Sequence, residues 1–191
     1  DKHEESLKCY DKAIELDPKY VYSWNNKGIV LGNLDKHEES LKCYDKAVEL
    51  DPKNASAWSN KGTSLGILGN LEEALKCFDK ALELDPKYVS AWYNKGTSLA
   101  NLGKYEEALK CFVRTIELDP ENVEVWNNKG NTLDMLGNLE VLAAVGSSLL
   151  RKRQEEAQKA AAARRRQDRI QKREAKRLLQ EQRRREEEQA V

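Results

Sequence analysis

The sequence lacks the features on which membrane segments and most active sites depend. No apolar run is close in length to the about 18 residues that a bilayer-spanning helix requires. There are only two histidines, no glycine-rich phosphate loop, and no nucleophile beside a base and an orienting acid. We therefore expect a cytoplasmic protein with no membrane contact, no enzymatic activity and no cofactor.

What the sequence does contain is a strict internal repeat. Four tryptophans stand 34 residues apart, and four Asp-Pro pairs keep the same step. The tryptophans are Trp24, Trp58, Trp92 and Trp126. The stretch 1–13 returns letter for letter at 35–47. A fixed period of this length predicts a row of similar structural modules, each of which packs on its neighbours.

Each module is predicted to contain two antiparallel helices. In 55–88, the first helix is followed by a break at Gly69-Asn70. The second helix carries apolar residues at i, i+3, i+4 and i+7, which is the pattern of a helix that buries one face. Asp85-Pro86 ends it, because proline disfavours the α conformation in the preceding residue and has no N–H to donate.

These modules resemble the tetratricopeptide repeat family. In 55–88 the family's signature stands at the expected offsets, as Trp58, Gly62, Ala74, Phe78, Ala81 and Pro86. The units 21–54 and 89–122 also fit, with Ser40 and Thr115 in place of small alanines. The resemblance implies an all-α fold, a right-handed α-solenoid of antiparallel helix pairs.

Both ends depart from this pattern. Residues 1–20 correspond to the second helix of an incomplete unit, so we expect the sequence to be a fragment of a longer protein. Residues 123–148 begin a fourth unit that diverges, with Leu142 and Gly146 where alanine and an aromatic are expected. Residues 149–191 contain no glycine, proline or aromatic, and they predict one long charged helix.

Two further side-chain rows follow the period. Four cysteines repeat, but equivalent positions of stacked units lie on the order of 10 Å apart, too far for a disulfide. We expect free thiols and no metal site. A lysine row, formed by Lys27, Lys61, Lys95 and Lys129, is expected to cover apolar surface with its stems while its ammonium groups reach water. Trp58 and Trp92 are expected to be the costliest residues to truncate, at about 3 to 5 kcal/mol.

Charge divides the chain near the start of the last helix. Residues 1–150 carry 18 basic and 25 acidic residues, whereas 151–191 carry 15 and 8. The C-terminal helix can therefore serve as a cap, a spacer or an oligomerisation arm, with Ile170, Leu178 and Leu179 contacting a partner helix or a second copy. The abrupt change of composition also fits an engineered fusion, and a natural or engineered origin stays open.

An alternative function is that this basic helix binds nucleic acid or an acidic protein partner. Runs such as Arg164-Arg165-Arg166 would neutralise phosphates. Interleaved glutamates, and the lack of aromatics that stack on bases, favour a solvated helix instead. We therefore do not expect nucleic acid as the partner.

The resemblance implies that the first helices line a concave face that holds a peptide or helix. The family's contact positions and an adjacent row of asparagines predict the binding residues Asn25, Asn26, Asn60, Thr63, Tyr93, Asn94, Thr97, Asn127, Asn128 and Asn131. The asparagine amides can bind the backbone of an extended peptide or join adjacent helices, and both interpretations stay open.

Some family members use lysines and an arginine on these positions to clamp the carboxylate tail of heat-shock chaperones. Here Asn25, Ser59 and Ser90 stand where several of those charges would be, so we do not expect that ligand. The sequence as a whole predicts a non-catalytic protein–protein interaction scaffold with a protein partner.

Overall fold

The computed structural model describes residues 2–189, and these residues form eight α-helices. They are α1 (Lys2–Leu16), α2 (Val21–Asn33), α3 (His37–Leu50), α4 (Ala55–Ile67), α5 (Leu71–Leu84), α6 (Val89–Asn101), α7 (Tyr105–Leu118) and α8 (Val123–Gln189). Neighbouring helices pack in pairs, so the expected all-α solenoid is confirmed. The chain divides into two compact units, Asp1–Gly137 and Asn138–Val191.

A residue with positive φ turns the chain between the two helices of each complete repeat. Gly69 has φ +81° and Gly103 has φ +74°. Asp35 occupies the equivalent position with φ +58°. Glycine adopts this left-handed conformation without steric cost, and aspartate is among the few other residues that tolerate it. The turn brings the second helix back against the first.

The Asp-Pro pair shapes the loop between one repeat and the next. Asp85 Oδ1 accepts a hydrogen bond from the backbone N–H of Lys87 at 2.9 Å. The carbonyl oxygen of Pro86 accepts one from Nε1 of Trp92, also at 2.9 Å. Trp24, Trp58 and Trp126 make the same bond to their own loops at 3.0 Å. Each periodic tryptophan therefore ties a first helix to the loop before it.

Aromatic rings and small residues form the core between the helices. Phe78 and Phe112 are 1% and 0% exposed and are the largest fully buried side chains. Trp58 and Trp92 are only partly buried and pack against the edge of these clusters. The structure thus places the phenylalanines of the second helices at the centre of the core.

Ion pairs join successive repeats. Lys61 Nζ lies 2.6 Å from Asp45 Oδ1, and Lys95 Nζ lies 2.5 Å from Asp79 Oδ1. Both ammonium groups also lie over tryptophan rings, at 5.6 and 5.7 Å from the centroids. Lys27 pairs with Asp11 in the same way. The lysine row is therefore part of the contact between repeats, and the expectation that its ammonium groups simply reach water is wrong.

The cysteine row lies in the second helices, and all four of its members are free thiols. Cys43, Cys77 and Cys111 are buried, whereas Cys9 is exposed. Desolvation by burial raises the pKa of each of the three buried thiols.

The fourth repeat differs from the expected division of the chain. Helix α8 runs from Val123 to Gln189 without a break, so no helix boundary lies between 148 and 149. The five residues Leu-Gly-Asn-Leu-Glu contain the turn at 68–70, yet they are helical at 136–140.

The packing of the second helix explains this difference. In the complete repeat, Ala74 and Phe78 are buried against the first helix, and their burial stabilises the turn that precedes them. Leu142 and Gly146 occupy the equivalent positions and do not supply that small-and-aromatic face. The backbone therefore gains more by continuing its helical hydrogen bonds than by turning.

The unit Asn138–Val191 is helical through Gln189. Its described side chains from 147 to 162 are all exposed. The side chains of Ile170, Leu178 and Leu179 lie outside those that the structure describes, so their role in contacting a partner helix stays a prediction. Within residues 2–189, no helix combines the length and the apolarity needed to cross a membrane.

Candidate peptide-binding face

Three grooves lie at equivalent places where first helices of neighbouring repeats run side by side, a surface that we call the first-helix face. The first groove, of about 210 Å³, lies between α2 and α4. The second, of about 240 Å³, lies between α4 and α6. The third, of about 360 Å³, lies between α6 and the first turns of α8. The face therefore presents a periodic row of recesses.

Equivalent side chains line the three grooves. An aromatic ring contributes to each, from Tyr44, Phe78 or Phe112. The first residue of each second helix adds His37, Leu71 or Tyr105. Among the described lining residues there is no lysine, arginine, aspartate or glutamate. The grooves therefore suit neutral groups rather than charged ones.

A ladder of asparagines, Asn60, Asn94 and Asn128, follows the grooves. Asn60 Nδ2 donates to Asn25 Oδ1 at 3.1 Å, and Asn128 Nδ2 donates to the Tyr93 hydroxyl at 2.9 Å. Each donor bonds a side chain on the first helix of the preceding repeat. The ladder thus joins adjacent helices, which is one of the two interpretations that the sequence left open.

Asn94 bonds a residue at a different position, because the side chain at the equivalent position is too short to reach it. The equivalent acceptor position holds Ser59, which is short and 2% exposed. Asn94 Nδ2 instead donates to Thr63 Oγ1 at 3.0 Å, about one helical turn further along α4. No hydrogen bond to the Oδ1 atoms of the ladder occurs among the described residues, so these three acceptors remain available to a ligand.

The ten predicted residues have three different placements. Asn25 and Tyr93 are acceptors for the ladder, and Asn26 and Asn127 line none of the three grooves. The other six all line a groove, namely Asn60, Thr63, Asn94, Thr97, Asn128 and Asn131.

Reasoning from the sequence missed the groove residues that lie outside the helical positions usual for the family. These include the second-helix residues His37, Leu71 and Tyr105. The signal was present, because the three second-helix residues also repeat at an interval of 34. The contact positions usual for the family all lie on first helices, so the resemblance did not point to these residues.

Burial affects two polar groups of the first-helix face, the Tyr93 hydroxyl and His37 Nδ1. Burial raises the pKa of the Tyr93 hydroxyl, and the nearby Glu124 carboxylate raises it further, so the group stays protonated at neutral pH. His37 Nδ1 lines the first groove and is buried without a hydrogen-bond partner among the described residues. The described part of the chain contains no cluster of His, Cys, Asp or Glu able to hold a metal ion.

Comparison with known proteins shows which family models match these repeats. The family model described as "Tetratricopeptide repeat" matches residues 21–54, 55–88 and 89–122. A second model of that description matches 111–140, and one described as "TPR repeat" matches 1–35. No curated protein matches the chain.

Several solved structures share the fold. The crystal structure of MamA is 21% identical, with a TM-score of 0.64 over 69% of this chain and 77% of that one. The first TPR of Spaghetti (RPAP3), bound to the HSP90 peptide SRMEEVD, is 27% identical, with a TM-score of 0.60 over 61% and 95%. The first TPR domain of human RPAP3 is 28% identical, with a TM-score of 0.62 over 64% and 97%.

Repeats of this kind form protein-interaction scaffolds, and the helix pairs of this chain provide such a surface. Because the matched repeats span more than half of its residues, the chain belongs to the tetratricopeptide repeat family.

Proposed function

We propose that the first-helix face binds an extended segment of a partner protein, with one set of contacts in each repeat. The observation that carries this proposal is the row of three uncharged grooves, each beside a ladder asparagine with an available Oδ1. An extended peptide presents backbone N–H groups that such acceptors can bind. The aromatic ring in each groove offers apolar surface to a side chain of the peptide.

The proposed ligand is neutral rather than acidic. A tetratricopeptide domain that is 27% identical to this chain was solved with the peptide SRMEEVD, which carries several carboxylates. No lysine or arginine lines the described grooves here. Lys61 and Lys95 are paired with aspartates of the preceding repeat. A buried carboxylate without a cationic partner would cost several kcal/mol, so a segment with polar uncharged and apolar side chains fits better.

The experiment is a selection of binders from a display library of random peptides, followed by anisotropy titration of the selected peptides. Ile67 and Asn101 are exposed, and each lines two grooves. Ile67→Arg and Asn101→Arg should therefore fill the grooves without disturbing the helix packing. We expect each change to weaken binding by about tenfold or more.

Glu49→Arg is the matched control, because Glu49 is exposed on α3 and lines none of the three grooves. It should leave the affinity unchanged. Selected peptides that bind both groove variants like the parent chain would refute the proposed face. Equal binding of SRMEEVD and the selected peptides would refute the preference for neutral ligands.

For the C-terminal segment, we propose a role as a cap, spacer or oligomerisation arm. Its support is a helix that continues to Gln189 and carries 15 basic against 8 acidic residues over 151–191. An oligomer that this segment forms with the acidic repeats should dissociate at high salt, which light scattering would detect. The proposal also includes a cytoplasmic location, which suits four free thiols.

A further inference from the structure

The three grooves are built from the same positions of successive repeats. An interval of 34 residues leads from each of the nine described residues that line the first groove to one that lines the second. The same interval leads from the second groove to the third. Thr63 and Ile67 line both the first and the second groove, and Thr97 and Asn101 line both the second and the third. The grooves therefore adjoin, and a segment that lies along the face meets equivalent contacts once in every repeat.

Side-chain hydrogen bonds show how close the first helices of neighbouring repeats lie. Asn60 Nδ2 on α4 donates to Asn25 Oδ1 on α2 at 3.1 Å, and Asn128 Nδ2 on α8 donates to the Tyr93 hydroxyl on α6 at 2.9 Å. Helices in such direct contact have axes about 8 to 10 Å apart. The grooves, and the ladder asparagines beside them, therefore recur at intervals of about 8 to 10 Å along the first-helix face.

A partner segment must match this interval with groups that face the same side. Its backbone N–H groups must also be free, because the available Oδ1 atoms of the ladder are acceptors. An α-helix uses its N–H groups internally beyond the first turn, so it cannot donate to the whole ladder. In a β-strand, two residues span only about 7 Å, and the third residue, about 10 Å away, points to the opposite side. Neither conformation gives one equivalent contact per repeat.

The polyproline II helix meets both requirements. It has about three residues per turn and rises about 3.1 Å per residue, so every third residue faces the same side at intervals of about 9 Å. It has no internal hydrogen bonds, which leaves its N–H groups free. We propose that the partner segment binds the first-helix face as a polyproline II helix, with every third residue facing a groove and every third N–H group bound to a ladder Oδ1 atom. This ligand conformation rests on the proposed function, since it requires that a segment lies along the face.

The register of the segment is set by differences between the grooves. The position that begins each second helix holds His37, Leu71 or Tyr105. The second groove combines Leu71 with Phe78 and with Ile67, which is 59% exposed. Covering this apolar surface stabilises the complex most when the ligand supplies an aliphatic side chain. The central contact residue is therefore aliphatic, and the residues that face the first and third grooves lie three positions to either side of it.

The first test is a scan of the tightest peptide from the display selection, measured by anisotropy with the parent chain. Alanine should weaken binding by about tenfold at each contact residue, and the contact residues should be every third residue. Proline should be tolerated wherever a residue supplies neither a contact side chain nor a bound N–H, because its fixed φ suits polyproline II. The tolerated positions should also recur at every third residue.

Variants of the protein show which peptide residue faces which groove. Leu71→Ala changes the second groove and Tyr105→Ala the third, and both residues are only partly buried. The loss of affinity in each variant should be non-additive with alanine at one contact residue of the peptide. The peptide residues that couple to Leu71 and to Tyr105 should be three positions apart. Urea unfolding checks that both variants are folded, and the peptide scan needs neither of them.

A matched pair of substitutions at Asn94 tests the ladder. Asn94→Asp and Asn94→Leu both remove the Nδ2 group that donates to Thr63 Oγ1. Only the aspartate keeps oxygen atoms that accept a hydrogen bond from a ligand N–H. The peptide should therefore bind Asn94→Leu about tenfold more weakly than Asn94→Asp. Equal affinities would overturn the bond between the ligand N–H and the ladder.

Failure of the polyproline II conformation is distinguishable from failure of the proposed function. Alternating sensitive positions in the scan, or coupled residues two, four or seven positions apart, would overturn the conformation. Ile67→Arg and Asn101→Arg would still weaken binding in that case, so the face itself would stand. Binding that both groove variants leave unchanged would refute the face and the conformation together. A spacing of three positions in both the scan and the coupling is the expected result.

Discussion

Gly62 lies against the ring of Phe78 so closely that a methyl group on the glycine would come within 2.7 Å of Phe78 Cε1. Glycine is a poor helix former, yet it stands in the middle of α4. The close approach of the ring explains its presence, because any larger residue would separate the two helices.

Gly62→Ala should therefore destabilise the protein even though alanine favours a helix. We expect a loss of about 1 to 3 kcal/mol from overpacking. Gly66→Ala is the control, because a Cβ there meets Ser98 Oγ at 3.7 Å and Ala74 Cβ at 3.9 Å, which are ordinary contacts. It should be neutral or stabilising by up to about 1 kcal/mol. Urea unfolding measures both, and equal effects would contradict the packing.

Phe78→Ala should cost more than any tryptophan truncation. Phe78 is 1% exposed, so we expect a loss of about 3 to 5 kcal/mol in the free energy of unfolding. Trp58→Ala should cost less because Trp58 is only partly buried, and Trp126→Ala least because Trp126 is 50% exposed. This order reverses the ranking expected from the sequence. Urea unfolding of the three variants tests it, and a Trp58→Ala loss above that of Phe78→Ala would restore the original ranking.

Val113→Asp should add an ion pair that the last repeat lacks. Asp11, Asp45 and Asp79 pair with the lysines 16 residues later, and Val113 stands 16 residues before Lys129. Val113 is 42% exposed, so we expect a gain of only about 0.2 to 1 kcal/mol at low salt. Val113→Asn supplies a polar side chain without the charge. A gain that is shared by both variants, or that persists at high salt, would show that the ion pair is not its source.

Stability should fall in alkaline solution because burial raises several pKa values. Desolvation raises the pKa of Tyr44 to about 12 and raises those of Cys43, Cys77 and Cys111 above 9.0. These groups ionise more readily in the unfolded chain, so their contribution is fully present below pH 9.0 and is lost as the pH rises through the folded-state values.

Tyr44→Phe isolates one part of this alkaline loss. Phe78 and Phe112 occupy the equivalent positions, so the ring should be accommodated. Unfolding measured from below pH 9.0 to above pH 10.0 should give a smaller loss for the variant than for the parent chain. Identical losses would show that Tyr44 does not contribute to the alkaline loss.

The helix pairs could be predicted from sequence because their signals are local or strictly periodic. The end of the fourth repeat could not, since Leu-Gly-Asn-Leu-Glu contains a turn at 68–70 and is helical at 136–140. The outcome depends on whether the following helix can bury Ala74 and Phe78 or their equivalents. Local propensity is too weak to decide between these states without that packing.

The row of asparagines on the first helices was predictable from the sequence, but its hydrogen bonds were not. The period placed Asn60, Asn94 and Asn128 in one row. Whether their amides face a ligand or a neighbouring helix depends on the length of the residue that each amide meets. Ser59 is too short to serve Asn94, so Thr63 accepts that bond instead. Predicting which residue accepts the bond requires the distance between the two helices, and a sequence pattern does not give that distance.

The contacts between repeats have a short reach along the chain. Lys27 and Asp11 are 16 residues apart, and Asn60 and Asn25 are 35 residues apart. Interactions of this range can re-form after a whole repeat is gained or lost, because the new neighbour supplies equivalent residues. Recombination between near-identical repeats would then change the number of grooves by one while each new junction brings equivalent positions together. Under the proposed function, the length of partner segment held by the first-helix face would then change with the number of repeats, in steps of one repeat.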